Sequence, residues 1–159
     1  MNVKDLTFLL KENREQLEAL LKSLSTAELE QPGAAGPEWS IKDVLSHLTA
    51  CEAEVVTQLA KARSGKPPTK VDFTDAEIEA QNQRWYEANK DRPLDRVLAD
   101  FQGVRRQLLR QIDAYGDAGL KSRPAWLKGK TIAERIVEEV VDHDRDHLEG
   151  LKARGSSAS

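Results

Sequence analysis

Leu6, Leu9, Leu10, Leu17, Leu20, Leu21 and Leu24 recur at three- and four-residue steps through the start of the chain. That spacing lines apolar side chains along one face of a helix with 3.6 residues per turn, and leaves the other faces polar. A helix of this kind has to bury its stripe against another element. The same period returns in Ile41, Val44, Leu45, Leu48, Val55, Val56 and Leu59, and again in Val97, Leu98, Phe101, Val104, Leu108, Leu109 and Ile112. No run alternates with period two, and no Asn-Gly or Asp-Gly pair marks a hairpin. The pattern predicts an all-α protein.

Helix boundaries are written into the polar residues. The first helix is expected over about 3 to 24, followed by Ser25-Thr26-Ala27-Glu28, a capping box that opens a short extra turn. QPGAAGP then breaks the chain. Ser40 is the expected N-cap of a second helix reaching about Arg63, with Asp43 as its box partner. Thr74 and Glu77 open a polar helix through NQRWYEANK, and Pro93 restarts it, because proline suits a first turn and breaks an interior. That segment is expected to end near Tyr115-Gly116. Thr131 and Glu134 open a final helix to about Arg154. Four rods of roughly 20 residues, the third segmented and with long connections around it, predict a four-helix bundle. Residues 1–154 read as one domain, and GSSAS at 155–159 as a disordered tail.

Composition narrows the setting. Of 159 residues, 39% are hydrophobic and 32% charged, which suits a helical protein with solvated outer faces. The net charge of −3 is interleaved along the chain, so no basic stripe argues for nucleic acid, and no nucleic-acid contact is expected. Cys51 is the single cysteine, which excludes a disulfide framework and favours a cytoplasmic location. The charged amino terminus does not read as a signal peptide, and no apolar run is long enough to enter a membrane.

Three histidines carry the chemistry. His143 and His147 stand four apart, so both rings project from one face, about 6 Å apart along the axis. They fall on a stripe with Ile132, Ile136, Val140 and Leu151, which aims them at the bundle interior or its mouth. His47 lies mid-helix in the second rod. If those two rods are neighbours, three imidazoles can reach one ion at roughly 2.0–2.1 Å and leave positions open. Taken singly, each histidine also fits a hydrogen-bonded residue at a helix interface.

The stretch WSIKDVLSHLTACE, followed by HDRDH 96 residues after His47, resembles the DinB-like superfamily of four-helix bundles, which includes YfiT-type metal-dependent hydrolases and thiol-dependent transferases. Trp39, His47, His143 and His147 match its pattern, and the resemblance covers essentially the whole chain. The run NQRWYEANKDRPLDRVLADF is similar to the ClbS/DfsB-type branch. The resemblance implies a divalent metal, nickel or zinc, on His47, His143 and His147, and a homodimer. Cys51 departs from the bulky aromatic that relatives often carry there, and offers a fourth ligand or a small buried apolar side chain.

Glu54 and Glu139 are expected as a general base or as carboxylates orienting a ligand, with solvated helix carboxylates as the plainer alternative. Among Asp142, Asp144 and Asp146 at most one can orient a histidine, and Asp43 is placed to do so for His47. Trp39 reads as a staple and bundle cap, Trp85-Tyr86 as a pocket wall or dimer contact, and Trp126 as a further cavity residue. Two functions follow. One is a metal-dependent hydrolase or a transferase using a low-molecular-weight thiol such as bacillithiol or mycothiol, acting on a small-molecule substrate. The other is a small-molecule binding or self-protection protein in which the metal is structural or absent.

Overall fold

The computed structural model describes residues 1–158, with side chains to residue 154. Helix α1, Val3–Lys22, opens where the Asn2 side chain accepts from the Asp5 amide, and it stops two residues short of the expected Leu24. α2 is the short turn Thr26–Glu30, capped by Ser25 and Glu28. α3, Ile41–Arg63, begins at the Ser40–Asp43 capping box. α4, Asp75–Asn89, begins at the Thr74–Glu77 box. α5, Leu94–Lys121, has Pro93 at its N-cap and a kink at Gly116, whose φ of +66° lies where glycine is favoured. The rod predicted to end at Tyr115-Gly116 thus bends there and adds one more turn. A 3-10 turn at Ala125–Leu127 leads to α6, Ile132–Ile136, started by the Thr131–Glu134 box.

The last rod is not the uniform helix its periodicity suggests. A π-helical turn, Val137–Asp142, separates α6 from α7, His143–Ala158. The expected disordered tail at 155–159 falls on positions whose side chains, and for Ser159 the backbone, lie outside the described residues. No strand occurs among the described residues, and no helix is long and apolar enough to cross a membrane.

The core divides into two apolar clusters. One holds Leu6, Leu10, Val55, Leu59, Leu108, Ile112, Ile136, Val140 and Val141 among others. The second holds Leu17, Val44, Leu45, Leu48, Val97, Phe101, Leu148 and Leu151. In sequence, each rod carries one buried charged residue between its contributions to the two: Arg14 on α1, Glu52 on α3, Arg105 on α5 and Asp144 on α7. All four are 6% exposed or less.

Charges this deep are tolerated only when paired and hydrogen-bonded. Glu52 accepts from Arg105 Nε at 2.6 Å, Arg105 Nη2 at 3.2 Å and Arg14 Nη2 at 3.1 Å. Arg105 Nη2 also donates to Asp144 at 3.0 Å. Arg14 Nη1 donates to the Phe101 carbonyl and Arg105 Nη1 to that of Leu10, and the Arg14 guanidinium lies 3.6 Å over the Phe101 ring. Arg14 Nε alone of the layer's donors is left buried with no hydrogen-bond partner. Burial still tells: Arg14 is pulled down to about 10, with Arg105 adding to the effect, and the Asp144 carboxyl is pushed up to about 6 against the pull of both arginines.

Candidate metal centre

His47 comes from the middle of α3, and His143 and His147 from the first turns of α7. The π turn explains how α7 shows histidines to the cleft and a full apolar stripe to the core. It adds one residue to the register, so the buried series runs Ile136, Val140, then Val141, Asp144, Leu148 and Leu151. The expected stripe kept His143 and His147 in line with Val140. The structure places them on the adjoining face at the bundle mouth, half-buried, while His47 opposite is buried.

The three rings meet. His143 Nε2 lies 3.0 Å from His47 Nε2 and 3.1 Å from His147 Nε2, and ring centroids are 4.8 to 5.1 Å apart for all three pairs. One proton on His143 Nε2 can serve only one neighbour, so hydrogen bonding leaves at least one close nitrogen pair unsatisfied. Nor does charge solve it. Burial lowers His47 to about 3 and His147 to about 4, with the neighbouring histidines adding to the effect, and burial lowers His143 too. The rings are neutral at pH 7, the state that binds metal. Two nitrogens on a tetrahedral ion with bonds of roughly 2.05 Å stand about 3.3 Å apart, close to what is found here. The donor set fits a divalent cation.

Cys51, one turn after His47, has its Sγ 3.9 Å from both His47 ring nitrogens. Donor atoms of His47, Cys51 and His143 all lie within 4.8 Å of one another. Burial pushes the thiol up to about 12, with Glu139, Asp144 and Glu54 adding to the effect.

The histidines stand at one wall of a cleft of about 1000 Å³. α4 supplies the opposite wall through Ile78 and Trp85, which accounts for a helix with no buried residue of its own. Glu54 and Glu139 both line this cleft, yet neither hydrogen-bonds a histidine. Glu139 instead accepts from Arg135 Nη1 at 2.7 Å, and Arg135 reaches back to Gln58 on α3 at 3.3 Å. Trp39 is more than a cap: its ring stacks on Tyr86 at 5.4 Å and 9°, and tilts against His47 at 5.6 Å. Trp85 is a cleft wall, whereas Trp126 packs on the apolar core away from it.

Several carboxylates have other work. Asp43 accepts from the Ser40 amide at 2.8 Å and caps α3 rather than orienting His47. Asp142 pairs with Arg145 on the surface, and Asp144 belongs to the buried charged layer. Only Asp146 of the three lines the cleft. Arg14, Glu52, Arg105 and Arg135 escaped sequence reasoning. For Arg14 and Glu52 the signal was there as seven-residue gaps, Leu10 to Leu17 and Leu48 to Val55, each holding a charge at the position the stripe should occupy; Arg105 and Arg135 leave no such gap.

A sequence model of the DinB superfamily matches residues 9–151. No curated protein matches in sequence. Among solved structures, an uncharacterised protein from Escherichia coli UTI89 superposes with a TM-score of 0.81 at 20% identity, over 99% of this chain and 94% of that one. The colibactin self-resistance protein ClbS, solved in complex with a dsDNA, superposes with a TM-score of 0.78 at 17% identity, over 96% of this chain and 94% of that one. The second likeness overturns the expectation of no nucleic-acid contact. A protein of this fold is solved on duplex DNA, and interleaving of charge along the sequence says nothing of which of the 24 basic residues share a surface once the helices pack.

Proposed function

This chain is a member of the DinB superfamily, and we propose that it is a divalent-metal-dependent enzyme acting on a small molecule in the cleft, with His47, His143 and His147 as the metal ligands. The observation that carries the reading is the meeting of three imidazoles, with His143 Nε2 lying 3.0 Å from His47 Nε2 and 3.1 Å from His147 Nε2, at the wall of a cleft of about 1000 Å³. When bound there, zinc or nickel supplies Lewis acidity, polarising a carbonyl or activating a water or a low-molecular-weight thiol such as bacillithiol or mycothiol. The chain's own residues do the rest. Glu139, held by Arg135, and Glu54 are carboxylates facing the cleft, available to accept a proton from the attacking group. Trp39 and Trp85 offer apolar surface to the substrate and exclude water from one side. The unpaired thiol of Cys51 suits a cytoplasmic setting.

A second reading is sequestration or self-protection, in which the cleft binds a reactive small molecule and any metal is structural. Its support is the cleft's size and the fold shared with a self-resistance protein. Elemental analysis of the wild type and of His143→Ala tests the first reading. About one equivalent of zinc or nickel per chain, lost in the variant, is expected. No metal in either, after incubation with each ion, would overturn it. Replacing all three histidines by alanine separates the two readings, because protection that survives the triple replacement belongs to binding and not to metal chemistry.

A further inference from the structure

We propose that Cys51 is a fourth, sulfur ligand to the ion held by His47, His143 and His147, which makes this site selective for zinc-like cations over magnesium and manganese. The inference rests on the metal reading above and specifies it. Cys51 and His47 are four residues apart on α3, so their side chains share a face. The thiol sits 3.9 Å from the His47 nitrogens, inside a group of donors spanning no more than 4.8 Å with His143. Nitrogen and sulfur on a tetrahedral ion stand roughly 3.6 Å apart, given bonds of about 2.05 and 2.3 Å. The observed 3.9 Å to His47 Nε2 is about 0.3 Å beyond that separation. The thiol has no other hydrogen-bond partner among the described residues, and the His47 ring beside it is 7% exposed, with its nitrogens facing only other ring nitrogens and this sulfur.

Without an ion the buried thiol keeps its proton. A divalent charge at the imidazole nitrogens reverses the local electrostatics: a coordinating thiol deprotonates outright, the sulfur binds as thiolate, and the proton leaves to solvent. Thiolate is a soft donor that favours zinc-type ions, whereas magnesium and manganese prefer oxygen. Four protein donors also complete a tetrahedron, the arrangement of closed sites. Chemistry at such an ion requires either a fifth position or release of the sulfur. Cys51 therefore governs access to the ion as well as its identity.

Cobalt(II) is the probe, because it occupies zinc sites and its spectrum reports sulfur ligation. The full chain is loaded with one equivalent of Co²⁺ as wild type, Cys51→Ala and Cys51→Ser, the serine variant keeping the side chain's size. Expected for the wild type are intense tetrahedral d–d bands and a near-ultraviolet sulfur-to-cobalt charge-transfer band. Both variants should still bind one cobalt but lose the charge-transfer band, and azide should perturb their spectra while leaving the wild type unchanged. A wild type that binds one cobalt with no charge-transfer band, or with a spectrum identical to that of the variants, overturns the sulfur ligand and leaves the three-histidine reading intact. Azide perturbing the wild type as strongly as the variants overturns the closed site. No cobalt bound by the wild type overturns both readings together.

Discussion

Glu52→Gln tests the buried charged layer most directly. The substitution keeps the side chain's size, so no cavity opens, but it removes the charge that accepts three hydrogen bonds from Arg14 and Arg105. Two guanidiniums then share the single carboxylate of Asp144, which lies 3.0 Å from Arg105 and 4.0 Å from Arg14. At least one donor faces the new amide's NH2 group. Removing one partner of a buried ion pair costs about 3–5 kcal/mol, because the charge left behind stays desolvated. Loss of Glu52 also relieves its repulsion of Asp144, which places the expectation near the lower end, about 3 kcal/mol. For a chain of this length that lowers Tm by about 6–12 °C. Urea unfolding followed by circular dichroism gives the free energy. Asp72→Asn, whose partner Lys128 is a surface residue, serves as the control and should leave the midpoint unchanged. The companion variant replaces Arg14 and Arg105 by Met, and Glu52 and Asp144 by Leu. It should unfold at equal or higher urea, by about 1–4 kcal/mol, because well-packed apolar residues need no desolvation offset. A loss below about 1 kcal/mol in Glu52→Gln would refute the claim that these charges are desolvated and mutually dependent.

Three further outcomes follow from the same geometry. Metal-free protein should lose stability as pH falls from 7 to 5: His47 and His147, held at about 3 and about 4, stay neutral while their unfolded counterparts take up protons below about 6.5, costing about 2 kcal/mol each by pH 5. His143 acts in the same direction, and Asp144, raised to about 6, opposes it by about 1.4 kcal/mol, so denaturant titrations should find a net loss near 3 kcal/mol; stability that rises on acidification would contradict the buried neutral rings. Chelation of metal-loaded protein should lower Tm by about 8–16 °C if the ion was present at a thousandfold excess over Kd, as differential scanning calorimetry would register. Gly116→Ala should destabilise by about 1–3 kcal/mol through backbone strain alone, since open space surrounds the added methyl, whereas Gly103→Ala inside α5 should stabilise by about 0.5–1 kcal/mol; equal effects in urea unfolding would exclude strain at the kink.

What the sequence made legible was local. The boxes at Ser25, Ser40, Thr74 and Thr131 involve residues three apart in the chain, and each was found where its spacing placed it. The histidine pair was legible for the same reason, whereas the part of His47 depended on α3 and α7 being neighbours, which the family pattern supported and the spacing alone could not. The π turn was hidden, because one extra residue in a helix is invisible until the partners of Val141 and Leu148 across the core are known. Asp144 illustrates the cost: in sequence it is one of three alternating carboxylates beside the histidines, and only the inserted residue turns it inward to Arg105. The charged layer was hidden too, since Arg14, Glu52, Arg105 and Asp144 belong together only once four rods are aligned along their axes. The cleft wall made by the polar α4 was legible in part, since Trp85 on a helix with almost no apolar face pointed to it, whereas the contribution of Ile78 did not show.

The layer of four charges also acts as a ruler. Leucine against leucine tolerates a helix sliding by one turn, about 5.4 Å, with little to mark the error. A guanidinium displaced by that distance from its carboxylate would lie against Leu or Phe, so each rod has one permitted height. Glu52 stands five residues beyond His47 on α3, and Asp144 directly follows His143 on α7. The alignment that satisfies the arginines is therefore the alignment that brings His47 within 3.0 Å of His143. An all-apolar core of equal or greater stability would be free to slip, and a bundle that slips by a turn keeps its fold and parts its histidines.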